Sequence, residues 1–155
     1  MKITNALSFM MTAAIVAGFI IGCTSHEAQA KAGKDKTCLA LNIYHEARGE
    51  PIAGQIAVAQ VTMNRVAHKS WPDDVCKVVY QRKQFSWTHT IKDHTPKEIE
   101  QWEIAKDIAE KVYKDQEDDF ALGAVFYHAD YVNPSWAKAY TEVTKIGAHI
   151  FYKKD

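Results

Sequence analysis

The densest group of residues able to do chemistry is His45-Glu46-Ala47-Arg48-Gly49-Glu50-Pro51. Glu46 stands near the end of a helical segment whose other members, Leu39, Ile43 and Tyr44, are apolar. A carboxyl sheltered by such neighbours loses hydration, and lost hydration favours its protonated form. A carboxyl that keeps its proton towards neutral pH is what a general acid requires, and cleavage of a glycosidic bond needs one at the leaving oxygen. Spacing alone equally allows a surface Glu46 paired with Arg48 or Lys36. Glu50 offers a second carboxylate four residues on. Gly49 and Pro51 break the helix around it, so Glu50 is expected to cap or clamp the following turn rather than share a face with Glu46. His45-Glu46 also opens like a zinc-protease signature, but Gly49 stands where the second histidine belongs. His128 and His149 would join His45 as ligands only if the fold brought all three together. No metal and no cofactor are expected.

A second signal is the loop Gln84-Phe85-Ser86-Trp87-Thr88, taken with Tyr127, His128, Tyr131 and Trp136. Aromatic faces beside amide and hydroxyl groups suit sugar rings, which present apolar C–H patches ringed by hydroxyls. Gln84, Phe85, Ser86, Trp87, Tyr127 and His128 are therefore the candidate substrate-binding residues. The plainer reading, ordinary core aromatics, is adopted for Phe126 and Phe151.

These groups must be held by elements that the hydrophobic pattern suggests. Leu39, Ile43 and Ala47 recur four apart, which predicts a helix over 37–48. Ile56, Ala59, Met63 and Val66 predict a second over 53–67. Residues 70–74 form a turn into a short helix carrying Val75, Val78 and Val79, and 81–95 is expected as an irregular loop. Thr95-Pro96-Lys97-Glu98 has the form of a capping box, followed by a helix to about Lys114 with Ile99, Trp102, Ala105, Ile108, Ala109 and Val112 on its apolar face. Residues 122–128 and 145–152 are short, β-branched and aromatic, and predict a small two-stranded antiparallel sheet. The expected class is α+β, mostly helical, with one core.

Composition sets the frame. The chain has 155 residues, with 47% hydrophobic and 25% charged side chains, as in a globular domain. Nineteen basic residues balance nineteen acidic ones, so no bulk field draws it to nucleic acid. Lys2 precedes an uncharged run, ALSFMMTAAIVAGFIIG, which predicts an export signal over 1–30. Ile20-Ile21-Gly22-Cys23 resembles a bacterial lipobox, with Cys23 as the lipidation site, while Ala28-Gln29-Ala30 offers a competing cleavage site. Residues 31–36 are expected as a polar tether ahead of a domain over 37–155. Setting Cys23 aside leaves Cys38 and Cys76, an even pair in an exported protein, where disulfides persist.

HEARGEPIAGQIAVAQVTMNRV, followed by WPDDVCKVVYQRKQFSW, resembles the SleB-type cell wall hydrolases, the catalytic-domain family of spore cortex-lytic enzymes. YHADYVNPSWA and IGAHIFYKK are similar to the closing segments of its shorter members. The resemblance spans about residues 37–153. It implies a lysozyme-like α+β fold, peptidoglycan glycan strands as substrate, and Glu46 as the catalytic acid of a lytic transglycosylase. Water in place of the muramic acid 6-hydroxyl would instead make the enzyme a muramidase. A metal-dependent amidase or peptidase and a non-catalytic wall-binding lipoprotein are the remaining alternatives. Cortex-lytic enzymes usually carry a separate wall-binding domain, for which residues 1–36 leave no room, so general wall turnover or lysis is expected. The expected protein is a monomer of the cell envelope, tethered through its N-terminal lipid or anchor. Removing residues 1–30 takes away Lys2 and Glu27 and leaves the charges balanced, so a tether would supply the retention that charge does not.

Overall fold

Helices are laid down first and a small sheet closes the chain. The structure, a computed structural model, describes the backbone of residues 14–154 and the side chains from residue 25 onward. Helix α1 spans Ala14–Ala47, α2 Ile52–Ala67, α3 Val75–Val79, α4 Trp87–Thr90 and α5 Ile99–Tyr113. Strands β1 (Phe126–Ala129), β2 (Thr141–Ile146) and β3 (His149–Lys153) follow, with a 3-10 turn at Ser135–Ala139. The chain divides into two units, Met1–Gly33 and Lys34–Asp155, and all contacts described below lie within the second. The first thirteen residues of the expected export signal lie outside the described residues, and so does the side chain of Cys23. Among the described residues, no helix is long and apolar enough to cross a membrane.

The expected helix start at Thr37 is corrected. Residues 31–36, expected as a tether, are helical, because the stretch from Glu27 to Lys36 is rich in Ala, Lys, Gln and Glu, which favour helix. Asp35 is buried and Lys36 pairs with Glu110 of α5, so the domain takes in residues that composition alone marks as solvent-facing.

The second helix was expected to bury one face. It buries nearly all of its circumference. Ile56 and Ala59 join α1, α3 and α5 in one core cluster. Ala57, Val58 and Val61 join Ala47, Ala121, Ala124 and Phe151 in another. Small and β-branched residues all round α2 make this possible, and α2 is the spine between the clusters.

At α5 the capping box does not form. The helix starts at Ile99, and Glu98 makes no side-chain cap bond. The Tyr44 hydroxyl, buried on α1, instead accepts the backbone N–H groups of Lys97 (3.0 Å) and Glu98 (3.1 Å). A tertiary acceptor has replaced the local one, and Ile99 lies outside the core at 76% exposure. The 81–95 loop is likewise more regular than expected, since α4 forms within it.

The expected two-stranded sheet has three strands, all antiparallel, in the order β1-β3-β2. The segment 145–152 is itself a hairpin that turns at Gly147, where φ is +56°. Thr141-Glu142-Val143-Thr144 was too polar to suggest a strand because β2 is an edge strand with exposed Thr141 and Glu142.

Cys38 and Cys76 are joined, with Cα atoms 5.3 Å apart, and the bridge ties α1 to α3. Closing a loop of this length is worth roughly 3–4 kcal/mol in the chain-entropy account. Alkylation of the unfolded protein should add mass at both cysteines only after reduction. Replacing both with Ser should lower the thermal midpoint by several degrees, read by calorimetry.

Candidate active site

Glu46 occupies the last turn of α1, half-buried, with the sheet in front of it. Its carboxylate accepts a hydrogen bond of 2.8 Å from the Tyr127 hydroxyl of β1. Burial raises its pKa above the ordinary carboxylate value, against the Tyr127 hydrogen bond and the positive charge of Arg65, which both lower it. Burial favours the protonated form, while Tyr127 and Arg65 favour the carboxylate. The Tyr127 hydroxyl is enclosed, and burial first, then the neighbouring carboxylate, raises its pKa well above the ordinary phenol value, so it stays a donor.

The last turns of α1 are pinned from two sides. Asn42, one turn before Glu46 and fully buried, donates to the Thr62 hydroxyl of α2 (3.2 Å) and accepts the Trp87 indole N–H (3.0 Å). The Trp87 ring stacks on His45 at 4.4 Å between centroids, and His45 Nε2 donates to the His94 carbonyl (3.1 Å). Both bonds of Asn42 are buried, where an unmet polar group costs most, so they fix the helix rotation that aims Glu46 at β1.

Tyr127 is delivered by α2. Asn64 donates to the Ala124 carbonyl (2.9 Å) and Arg65 Nε to the Val125 carbonyl (2.7 Å), fixing the chain just before β1. Arg65 is only 5% exposed, and its guanidinium lies over the rings of Phe85 (5.2 Å), Trp71 and Phe126 (both 5.9 Å). A guanidinium stays charged even there, and the rings provide cation–π attraction in place of water.

Glu50 is a clamp, as expected, but on a distant turn. Its Oε2 accepts the Ala148 N–H at 2.9 Å, and a Cβ at Gly147 would meet that same oxygen at 1.9 Å. Gly147 is thus required twice, by its positive φ and by the approach of Glu50.

The expected substrate-binding residues separate. Phe85 and Trp87 are 2% and 3% exposed, so they are core and offer no face to a sugar. The correction follows from Arg65 and Asn42, which need aromatic and indole partners inside. Gln84 is half-buried and Ser86 is exposed on the same loop. Tyr127 meets Glu46, but the adjacent strand residue His128 is paired with the Tyr152 hydroxyl (3.0 Å) on the sheet's other face. Trp136 packs there too, against Phe126, His128 and Tyr152. Tyr131 is 86% exposed. Among the described residues, His45, His128 and His149 do not converge as a ligand set. Sequence reasoning missed Asn42 and Arg65 as site residues. The signal for Arg65 was the single charge of an otherwise uncharged helix, in its last turn.

A family model described as Cell Wall Hydrolase matches residues 49–152. The chain belongs to that family. The matched span begins just after Glu46, so the placing of Glu46 rests on the geometry above. A spore cortex-lytic enzyme of Bacillus cereus is 30% identical over 120 residues, covering 77% of this chain and 44% of that protein. One from Oceanobacillus iheyensis is 31% identical over 122 residues, covering 77% of this chain and 41% of the relative. The chain thus spans less than half the length of the curated relatives it matches. Among solved structures, the catalytic domain of the germination-specific lytic transglycosylase SleB from Bacillus anthracis is similar, with a TM-score of 0.63 and 31% identity. That match covers 77% of this chain and 93% of the other. The SleB catalytic domain of Bacillus cereus gives the same TM-score and identity. This member of the family shares their α+β architecture.

The raised pKa has a cost in stability. Glu46 binds its proton more tightly folded than unfolded, so its contribution is fully present below the unfolded value near 4.5 and is lost as pH rises through the folded one. Glu46→Gln removes this dependence. Its thermal midpoint relative to the parent should rise with pH across that window and level off on the acid side, as read by melting curves at a series of pH values.

Proposed function

We propose that this chain cleaves peptidoglycan glycan strands between N-acetylmuramic acid and N-acetylglucosamine, as a lytic transglycosylase with Glu46 as its single acid and base. The observation that carries this reading is a half-buried carboxyl of raised pKa on which, among the described residues, no second carboxylate acts. Arg65 is the charged group that acts on Glu46, and Glu50 is committed to the β2–β3 turn. Retaining glycosidases that use a carboxylate nucleophile, and inverting ones that use a carboxylate base, need a facing pair. One carboxyl suffices when the nucleophile belongs to the substrate.

In this mechanism the Glu46 proton passes to the glycosidic oxygen as the C1–O bond breaks. The 6-hydroxyl of the muramic acid residue then bonds to C1, and its proton returns to Glu46, leaving a 1,6-anhydro end and a regenerated acid. Tyr127 and Arg65 hold the carboxylate between those two transfers. Gln84, Ser86 and Tyr127 remain the candidates for sugar contact. Family membership and the likeness to SleB catalytic domains support the substrate class. Export and a tether through Cys23 belong to the same proposal and rest on the sequence of residues 1–30.

Digestion of purified sacculi tests the proposal. The parent should release muropeptides with anhydro ends, and Glu46→Gln, though folded, should release at least about a thousandfold less, as loss of an essential proton donor implies. Oxygen-18 water should leave those ends unlabelled. Label at the new end would mean that water is the nucleophile and the enzyme a muramidase. Activity retained by Glu46→Gln would sink the assignment of the acid.

A further inference from the structure

An open groove of about 440 Å³ is lined by Tyr80, Arg82, Lys83, Thr88 and His89. Its lining holds two cations and no carboxylate, in a chain whose charges balance overall. Among the described residues, neither Arg82 nor Lys83 is spent on an ion pair. Lys83 holds a left-handed φ of +66°, a backbone state that side-chain-bearing residues seldom adopt. A chain of ring contacts links the groove to the residue before Glu46. Tyr80, 44% exposed, stacks on His94 (6.2 Å) and meets Trp87 edge-on (5.7 Å). Trp87 in turn stacks on His45, the residue before Glu46.

Resting on the glycan-strand reading above, we propose that this groove is a subsite for the stem peptide that hangs from the strand. Stem peptides carry free carboxylates, and Arg82 and Lys83 supply charge-assisted donors for them. Tyr80 offers a ring face to the peptide's apolar side chains, and the Thr88 hydroxyl, which donates to the Phe85 carbonyl at 2.8 Å, keeps an acceptor site for a peptide N–H. A strand seated at Glu46 would thereby be read by its sugars at the acid and by its peptide two ring contacts away.

The test is binding of a soluble stem tetrapeptide to the full chain by calorimetry, beside the same peptide with its carboxylates amidated. The free-acid peptide should bind saturably, and about tenfold or more weaker after amidation, in 0.5 M salt, or to Arg82→Gln/Lys83→Asn. Asn is chosen at 83 because it tolerates the left-handed backbone. If the double variant melts early, Arg82→Gln alone should still weaken binding. Equal affinity for the two peptides, parent-like affinity in the variants, or no binding at millimolar concentration would overturn the proposal. A second arm compares intact strands with strands stripped of stems by an amidase. The parent should prefer intact strands, and the double variant should lose that preference. If the parent cleaves neither, the glycan-strand reading fails, while peptide binding still decides the groove.

Discussion

The hydrogen bond from Tyr127 to Glu46 joins the helical part of the molecule to its sheet, and the proposed chemistry depends on it. A buried carboxyl without a donor would hold its proton too tightly to be a good acid. One fully paired with a cation would not hold a proton at all. Glu46 lies between these limits because Tyr127 donates directly, at 2.8 Å, while Arg65 acts through space without a direct ion pair. Burial remains the larger effect, so the pKa stays above the ordinary carboxylate value.

Much of the remaining structure can be understood as holding those two side chains together. Helix α2 does most of it. Thr62 receives Asn42 and so fixes α1, and Asn64 and Arg65 fix the entry to β1. The other support comes from Glu50. By holding the Ala148 N–H it seats the hairpin turn, β3 pairs with β1 so that Phe151 stands opposite Tyr127, and Tyr127 is brought up to Glu46. The second carboxylate of the motif therefore serves the first at a distance, through backbone pairing and not through a proton.

The motif around Glu46, the extent of α2 and the cysteine pair were legible because each rests on local pattern or on simple counting. The clamp by Glu50 was half legible. Helix-breaking neighbours showed that it would grip a turn, but the turn it grips lies almost a hundred residues away. Phe85 and Trp87 were misjudged as sugar platforms because their neighbours in sequence are polar, whereas their neighbours in space are Arg65 and Asn42. The cap of α5 failed for a similar reason, since no local rule anticipates a tyrosine hydroxyl arriving from another helix. Strand β2 escaped notice because an edge strand has little need of apolar residues. In each case the error lies where a long-range contact overrides a local preference.

The central claim is that burial outweighs Tyr127 and Arg65 and keeps Glu46 protonated beyond the range of an ordinary carboxyl. Titration of the carbon-13-labelled Glu46 side chain by NMR, assigned by its absence in Glu46→Gln, measures this directly. The account predicts a midpoint above the ordinary value near 4.5, moving higher still in Tyr127→Phe, which loses a donor to the charged form. A midpoint at or below the ordinary value would contradict it.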